Sequence, residues 1–212
     1  MISPQSVKRY PLYLREVREC LARGDRYVSA AVLAKTLGMD PILARKDLAA
    51  VGVTGRPHFG FPAVELRNAI MSTLGWANET EAVLCGAGSL GKALLGYAGF
   101  RDHNLSIVLA FDTSPKLVGK RIHGVPVHDF AEMGAMVRKL NVKIGILAVP
   151  SAAAQVCAEV LVASGIKGIW NFTTVPLALP KTLAVRNVDL AESLALLSHE
   201  ISRRSIAGAG EH

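Results

Sequence analysis

The sequence is poor in cysteine and aromatic residues and has no long apolar run. Its three cysteines are odd in number, far apart and part of no Cys-x-x-Cys pair, so we expect neither a disulfide framework nor a zinc cluster. No apolar segment approaches the roughly 18 residues of a membrane span, and the N-terminal segment lacks the apolar core of a signal peptide. These absences predict a soluble, cytoplasmic protein with no membrane partner and no bound metal.

Charge is unevenly distributed along the 212 residues. Residues 1–76 contain 11 Lys and Arg against 6 Asp and Glu, whereas the remaining residues contain 13 against 11. A basic first third ahead of a nearly neutral remainder is typical of a polyanion-binding domain joined to a different kind of domain. A solvated basic face is the alternative explanation of the same counts.

The basic part of the chain has the pattern of a helix-turn-helix. Apolar residues recur at helical spacing over residues 6–23, and Ser29 is a suitable N-cap for a second, short helix. Asp40-Pro41 predicts the start of a third helix, which presents Arg45 and Lys46 in its middle. Two short helices joined by a glycine-containing turn, the second one basic, predict a DNA-binding helix-turn-helix.

Glycines in residues 53–61 predict a hairpin that forms the wing of a winged helix. A further helix is predicted to carry Val64, Leu66, Ile70 and Leu74. We therefore expect a winged-helix DNA-binding domain in residues 1–77, a second domain in 78–188, and a dimerisation helix with a tail in 189–212.

From residue 81 onward, short apolar segments alternate with helical segments. Asp129 and Ser151 are natural caps for two of the helices. Strands that alternate with helices predict an α/β domain with a parallel sheet covered on both faces. The predicted strands are 82–85, 105–111, 142–149 and 166–170.

A glycine-rich turn joins the first of these strands to a helix. The turn reads Gly86-Ala87-Gly88-Ser89-Leu90-Gly91, the fingerprint of a Rossmann-type dinucleotide site in its required strand-to-helix context. Gly86 permits the tight turn, Gly88 admits the pyrophosphate and Gly91 allows close helix packing. Asp112, 21 residues beyond Gly91, can accept both ribose hydroxyls and would repel a 2′-phosphate, so NAD(H) is predicted over NADP(H).

The sequence offers little for catalysis. None of the six histidines lies at the carboxyl end of a predicted central strand with a carboxylate nearby, and no residues remain for a substrate domain. We therefore expect the dinucleotide to act as a signal and the protein not to be an enzyme. The alternatives are a small NAD-dependent oxidoreductase, a coenzyme-A-binding subunit, and a regulator whose Rossmann domain binds another nucleotide or none.

The last helix is predicted to begin at Asp189. Leu190, Leu194, Leu197 and Ile201 then recur at spacings of four, three and four, which is the stripe of a helix-packing seam. This helix could fold back onto its own domain or reach into a partner subunit. Because helix-turn-helix proteins commonly read two-fold sites as dimers, we favour the intersubunit arrangement.

Taken together, these features resemble the Rex family of redox-sensing transcriptional repressors over nearly the whole chain. The most specific parts are Arg45-Lys46-Asp47-Leu48 and the glycine turn. The resemblance implies a homodimer that exchanges its last helix, binds operator DNA when NADH is scarce and releases it when NADH binds. The matching segments are 9–15, 28–29, 45–48, 86–91, 97–100, 111–112, 149–150, 165–169, 171–172 and 187–189.

The resemblance also implies roles for individual residues. On this basis Tyr97, Asn171 and Phe172 are expected at the nicotinamide, and Asp189 of one subunit is expected to meet Arg15 of the other in a redox-dependent contact near Tyr97. Val149 and Pro150 are further expected cofactor contacts. The expected DNA contacts are Arg9, Ser29, Arg45, Lys46 and Arg56.

The chain departs from the family pattern in three places. Residues 49–52 replace the usual Ser-Tyr-Phe-Gly, and residues 55–61 replace the usual wing pattern Gly-x-Arg-Gly-x-Gly-Tyr. Leu190 stands where the family usually has Phe. These departures predict altered wing contacts and a looser contact with the nicotinamide.

Overall fold

A computed structural model describes residues 2–208, with all side chains except those of Leu190 and residues 204–208. The chain forms two compact units, Met1–Glu79 and Thr80–His212, so the division lies two residues beyond the predicted one. Within the described residues, no helix is both long and apolar enough to cross a bilayer. The prediction made for the side chain of Leu190 lies outside the described residues.

The described part of the first unit, from residue 2 onward, contains four α-helices and a two-stranded sheet. Ser3 caps the first helix by accepting a hydrogen bond from the Ser6 N–H, and Asp40 caps the third by accepting from the N–H groups of Ile42 and Leu43. The predicted helix-turn-helix is confirmed, because a short second helix is followed by a third in the expected place. The helices are α1 (Pro4–Ala22), α2 (Ala30–Thr36), α3 (Pro41–Ala50) and α4 (Ala63–Thr73), and the strands are β1 (Tyr27–Val28) and β2 (Phe61–Pro62).

The core of this unit is built around α1. Tyr10, Tyr13 and Leu14 are completely buried, and they belong to one cluster with Leu48 of α3 and Leu66 of α4. Val64, which was predicted to share the α4 stripe, is 52% exposed because it lies beside the stripe that Leu66 and Ile70 direct into the core. Burial of α1 against α3 therefore fixes the helix that carries the candidate DNA contacts.

The wing differs from the predicted two-stranded hairpin. Strand β2 pairs antiparallel with β1, so that Val28 lies opposite Phe61, and the wing itself contains only a single bridge between Arg56 and Gly60. Pro57 has no N–H to add to a ladder, and the reversal is too tight for longer pairing. The wing is therefore a short closed turn, and the strand β2 that follows it pairs with β1, which precedes α2 in the chain.

The second unit is a seven-stranded sheet with the order β5-β6-β4-β3-β7-β8-β9, in which only β5 runs antiparallel to its neighbour. The parallel α/β architecture is confirmed. Strands β5, β6 and β9 were not predicted, because they are short edge segments with mixed polar and apolar residues. The strands are β3 (Thr80–Cys85), β4 (Leu105–Asp112), β5 (Arg121–Ile122), β6 (Val125–Asp129), β7 (Ile144–Leu147), β8 (Gly168–Asn171) and β9 (Ala184–Asn187).

The helices of the second unit and the strand order together define a crevice. From β3 the chain builds outward through β4 and β6 on one side, and then returns to the other side of β3 with β7, β8 and β9. Ligands of open α/β sheets bind outside the carboxyl ends of the strands at such a reversal, here between β3 and β7. The α-helices are α5 (Ser89–Leu95), α6 (Met133–Leu140), α7 (Ser151–Ala163) and α8 (Leu190–Gly208), and short 3-10 helices cover Ala98–His103 and Phe130–Glu132.

Candidate dinucleotide site and nucleic-acid interface

The glycine turn follows β3 and is packed tightly against the end of β7. Gly86 has a φ of 92°, a left-handed conformation that favours glycine, and a Cβ there would collide with the carbonyl group of Ala148. A Cβ on Gly91 would collide with the carbonyl oxygen of Gly86, whereas a Cβ on Gly88 would meet no atom within 4 Å. The turn thus has two glycines that the fold requires and one that faces open space, where a pyrophosphate can approach.

The turn leads directly into the N-terminus of α5. Gly88 is the N-cap, and no side chain caps this helix within the described part of the chain. The Gly88 carbonyl accepts from the Lys92 N–H at 2.9 Å, while the first N–H groups, including those of Ser89 and Leu90, lie at the open end. Such groups favour an anion, so the geometry suits a phosphate of a dinucleotide.

Asp112 ends β4 beside the glycine turn. One carboxylate oxygen accepts from the Ala87 N–H at 2.8 Å, and the other accepts from the Ser114 N–H at 2.8 Å. These bonds fix the carboxylate at the carboxyl edge of the sheet and leave further lone pairs that can accept from ribose hydroxyls.

A cavity of about 560 Å³ lies at this edge. Five predicted cofactor residues, Gly86, Gly88, Asp112, Val149 and Pro150, line it together. This volume is in the range of small-molecule sites. Sequence reasoning missed the remaining lining, although Thr113 and Ser114 directly follow Asp112, and Ala153, Val156 and Cys157 follow Pro150 at helical spacing.

Two cysteines, Cys85 and Cys157, line the same cavity as neutral thiols. Burial, with a smaller effect of the neighbouring Cys157, raises the pKa of Cys85 well above its ordinary value. Burial likewise raises the pKa of Cys157. Because the thiolate is the reactive form, neither side chain is suited to act as a redox-active group near neutral pH.

The residues expected at the nicotinamide do not line this cavity. Tyr97 is 59% exposed and begins a row of aromatic rings, in which Tyr97–Phe100, Phe100–Trp170 and Trp170–Phe172 centroids are 4.9, 5.7 and 4.9 Å apart. The row connects the segment after α5 with the end of β8. Tyr97 and Phe172 are therefore brought to one aromatic surface, and their contact with a ligand stays a prediction.

Asn171 is completely buried, and its amide is already used within the fold. Its Nδ2 donates to Asn187 Oδ1 at 2.9 Å, and its Oδ1 accepts from the Thr173 N–H and hydroxyl at 3.0 and 2.7 Å. These bonds join β8 to β9 and shape the turn after β8. The observed role of Asn171 is thus to hold the backbone that presents Phe172.

Arg15 and Asp189, the expected intersubunit pair, each have local partners. The Arg15 guanidinium contacts Glu16 at 3.1 Å, and Asp189 accepts from the Ala191 N–H at 2.8 Å as a cap of α8. The contact was predicted between two subunits, and the structure describes a single chain. It therefore stays a prediction.

A second cavity, of about 710 Å³, lies between the helix-turn-helix and the wing. Three of the predicted DNA contacts, Ser29, Arg45 and Arg56, line it together. Lys46 is exposed beside Arg45 on α3 but is not part of the lining. The arrangement places two cations and a hydroxyl around a groove, which is suited to contact a nucleic acid backbone.

Arg9 lies apart from this groove and is paired within the protein. Its Nε and Nη2 donate to the two oxygens of Asp47 at 2.6 and 2.9 Å, and Asp47 is only 4% exposed. The Tyr13 hydroxyl donates to Asp47 Oδ2 at 2.9 Å, and the Tyr10 hydroxyl donates to the Asp47 carbonyl oxygen at 3.1 Å. The guanidinium thus joins α1 to α3, and because the Arg9 side chain is still 20% exposed, its expected contact with DNA stays a prediction.

The charges in this cluster affect each other's ionisation. Burial alone would raise the pKa of Asp47, but hydrogen bonds from Arg9, Ser6 and Tyr13 outweigh burial and lower it. Burial, together with the bond to Asp47, raises the pKa of Tyr13 to about 12. The cluster is therefore stable as an Arg9 cation, an Asp47 anion and neutral tyrosines across the physiological range.

Comparison with known proteins assigns both units. A model described as “CoA binding domain” matches residues 77–175, and one described as “Putative DNA-binding protein N-terminus” matches residues 1–49. The chain is similar to the redox-sensing transcriptional repressor Rex of Treponema denticola, with 43% identity over 192 residues that cover 91% of each chain. It is 35% identical to the protein of the same name from Clostridium botulinum over 203 residues, 96% of this chain and 97% of that protein.

Solved structures give the same assignment. The Rex-family repressor RSP in complex with beta-NAD+ and operator DNA has a TM-score of 0.90 and 30% identity, covering 99% of this chain and 96% of that chain. RSP in complex with beta-NADH has a TM-score of 0.85 and 29% identity, covering 99% and 98%. The chain therefore belongs to the Rex family of redox-sensing transcriptional repressors.

Proposed function

We propose that this chain represses transcription according to the ratio of NADH to NAD+, binding operator DNA when NADH is scarce and releasing it when NADH binds. The observation that carries the proposal is the pairing of two sites in one chain. A glycine turn with Asp112 in the second unit suits an NAD(H) pyrophosphate and ribose, and an exposed Arg45 and Lys46 on α3 suit DNA.

The alternatives are less well supported. A small oxidoreductase or a coenzyme-A-binding subunit would also use a glycine turn, but the relatives are named transcriptional repressors, so the chain is a regulator and not an enzyme. Among the described residues, no cluster of three or more His, Cys, Asp or Glu side chains could hold a metal. A repressor acts on chromosomal DNA, so we place it in the cytoplasm.

In the proposed dinucleotide site, backbone and side chains have separate tasks. The N–H groups at the start of α5 hold the pyrophosphate, and Asp112 accepts from the ribose hydroxyls and repels a 2′-phosphate. Val149 and Pro150 provide an apolar wall, while Tyr97 and Phe172 offer aromatic surface for the nicotinamide. The redox state of the bound dinucleotide supplies the signal.

The proposed coupling depends on burial of charge. The nicotinamide ring is positive in NAD+ and neutral in NADH, and an apolar, closed surface disfavours the positive form. A closed arrangement of two subunits would therefore select NADH, and it would place the two DNA-binding units differently from the open arrangement. To reverse a strongly biased equilibrium, a ligand needs a differential affinity of roughly 10⁴ between the two states.

We further propose a homodimer in which α8 is exchanged between subunits. Every described side chain from Ala191 to Arg203 is exposed, including Leu194, Leu197 and Ile201 at 63, 54 and 57%. A helix with such a stripe gains stability when the stripe is covered. In the dimer, Asp189 of one subunit would meet Arg15 of the other near Tyr97.

The direct test is a titration of duplex DNA by fluorescence anisotropy. An operator is first obtained by selection from random duplexes, and its affinity is then measured at fixed salt without ligand, with NAD+ and with NADH. We expect NADH to weaken binding by about tenfold or more and NAD+ to have little effect. Equal affinity with and without NADH would contradict the sensor function.

A paired variant separates the two activities. Replacing Arg45 and Lys46 together with Ala should abolish operator binding and leave NADH affinity unchanged, since these cations lie on the exposed side of α3. The matched control replaces Arg138 and Lys139, another adjacent pair of exposed cations in a helix, and should bind DNA as the unmodified protein does. Loss of both activities in the first variant would show that Arg45 and Lys46 are structural.

A further inference from the structure

The tip of the wing carries an exposed aromatic side chain. Phe59 is 65% exposed, although burial of a phenylalanine side chain is normally stabilising. The backbone of the wing tip is held by hydrogen bonds. The Phe59 N–H donates to the Arg56 carbonyl oxygen at 3.2 Å. Arg56 and Gly60 also exchange two hydrogen bonds at 2.7 and 3.0 Å. The fold therefore holds an apolar ring outward in a closed turn.

The conformation of the turn is fixed at two further points. His58 has a φ of 64°, which is uncommon for a residue with a side chain, and Gly60 has a φ of 96°. A Cβ on Gly60 would collide with the carbonyl oxygen of Val28 in β1. The wing tip is thus pressed onto β1 in one arrangement.

Tyr27 of β1 supports both side chains of the tip. Its ring centroid lies 5.4 Å from that of Phe59, and the Arg56 Cζ lies 5.4 Å from the Tyr27 centroid. The Arg56 Nη1 also donates to the Tyr27 hydroxyl at 2.7 Å. Tyr27 therefore places an aromatic ring and a cation side by side.

These side chains share a groove with the recognition helix. Phe59 and Arg56 line the 710 Å³ cavity together with Arg45 and Ala49 of α3. When α3 lies in the major groove of a duplex, the wing tip beside α3 would face the adjoining minor groove. The two cations of the lining, Arg45 and Arg56, complement the charge of the phosphate backbone.

We propose that Phe59 inserts into the minor groove beside the recognition helix and makes this chain select A·T pairs there. This inference deepens the proposed DNA-binding function and rests on it. The walls of the groove are apolar deoxyribose, and apolar side chains can act as wedges between base steps. The 2-amino group of guanine projects from the groove floor and would obstruct the ring. Tyr27 is a positioning residue for Phe59 and Arg56.

The test replaces single base pairs of a selected operator. Each A·T pair is changed in turn to G·C and to I·C, since inosine lacks the 2-amino group and an I·C pair resembles A·T in the minor groove but G·C in the major groove. At the pairs under the wing, we expect G·C to weaken binding about tenfold and I·C to weaken it less than about twofold. At pairs read by α3 in the major groove, both substitutions should weaken binding alike.

Two variants assign the effect to the ring. Phe59→Ala should bind A·T and G·C operators equally at the wing positions and keep the major-groove pattern. Val64→Ala, which removes another exposed apolar side chain of the same unit, should keep both patterns. Tyr27→Phe retains the ring under Phe59 and loses the hydroxyl bond to Arg56, so it should keep the A·T preference. NADH affinity should not change in any of them.

The outcomes separate this inference from the proposed function. If the unmodified protein binds no duplex, both fail. If it binds an operator but no position distinguishes G·C from I·C, or if Phe59→Ala keeps the distinction, only the role of Phe59 is overturned. If Tyr27→Phe no longer distinguished G·C from I·C, the ring of Tyr27 would not be what positions Phe59.

Discussion

Asp47 shows how one residue of a basic helix can serve the interior while its neighbours serve the surface. Arg45 and Lys46 are exposed, whereas the next side chain along α3 points inward to Arg9 and Tyr13. A buried carboxylate without partners would be strongly unfavourable, and Arg9 and Tyr13 remove that cost. Asp47 therefore ties the recognition helix to α1 and sets how Arg45 and Lys46 are presented.

Replacing Asp47 with Asn should destabilise the first unit by roughly 3 kcal/mol near neutral pH, because Arg9 loses its ionic partner. Because the folded-state pKa of Asp47 is lowered, its contribution is complete above its ordinary pKa of 3.8 and is lost as pH falls through the lowered value. The free-energy difference between the two proteins should thus be constant at higher pH and shrink as the pH falls below about 4. Urea unfolding reported by Trp76 fluorescence, in a Trp170→Phe background, measures it.

Asp25→Asn is the matched control for this experiment. Asp25 pairs with Arg23 at 3.2 Å, but both side chains are well exposed, so the substitution should change stability little at any pH. If the difference in unfolding free energy between Asp47→Asn and the unmodified protein did not change as the pH was lowered, the Asp47 carboxylate would not be ionised in the folded state.

Replacing Asp112 with Ala should weaken the affinity for NADH by about tenfold and reduce the discrimination against NADPH. The reason is that the substitution removes the carboxylate proposed to accept from two ribose hydroxyls. Isothermal titration with both dinucleotides measures the ratio. Glu81, an exposed carboxylate near the opposite end of the neighbouring strand, provides the control Glu81→Ala, which should bind both as before. An unchanged preference for NADH in Asp112→Ala would remove Asp112 from the ribose.

At the scale of elements, the turn between β3 and α5 combines requirements of fold and of ligand. Gly86 and Gly91 are needed because the carbonyl groups of Ala148 and Gly86 occupy the places of their Cβ atoms. A Cβ on Gly88 would meet no atom within 4 Å, so the fold itself does not require a glycine there. The three glycines of one motif should therefore respond differently to substitution.

Gly88→Ala should leave the melting temperature of the protein unchanged and weaken its affinity for NADH by about tenfold, because the methyl group would occupy space that the pyrophosphate needs. Gly86→Ala should instead destabilise the second unit by roughly 2 kcal/mol or more, from backbone strain and the collision with Ala148. Thermal unfolding and NADH titration of both variants distinguish the two effects. Normal NADH binding by Gly88→Ala would place the pyrophosphate elsewhere.

At the scale of the whole molecule, the apolar stripe of α8 is not covered by any other part of the described chain. A helix of 19 residues ends the described chain with its apolar stripe exposed. A second copy of the chain is the partner proposed above. Coupling between NADH and DNA would then require the dimer, because the proposed contact of Arg15 with Asp189 joins two subunits.

Replacing Leu194 and Leu197 together with Glu should convert the dimer to a monomer and remove the effect of NADH on operator affinity, since charged residues oppose burial of the seam. Sedimentation velocity measures the first result and anisotropy the second. Leu196→Glu alters an equally exposed leucine, 61%, on another side of the helix, and it should stay dimeric. A dimer that persists in the double variant would exclude this seam from the interface.

The sequence by itself determined the helix-turn-helix and the alternating strands and helices of the second unit, and it located two candidate sites. Asp40-Pro41 marked the start of α3, and the glycine turn and Asp112 marked the candidate dinucleotide site, because caps and tight turns depend on residues close in the chain. Local patterns also predicted the four central strands, because short apolar runs are typical of strands covered on both faces.

Only the tertiary structure decided the roles that depend on distant residues. The pairing of Arg9 with Asp47, 38 positions away, and the bond of Asn171 to Asn187 that joins β8 to β9 could not be predicted from the sequence, whereas the expected contacts of Arg9 and Asn171 with ligands stay predictions. The predicted wing hairpin became a closed turn because Tyr27 and Val28, from before α2, supply its strand partner and its support. Spacing along the chain does not reveal which distant group satisfies a side chain, since that depends on how the helices and strands pack.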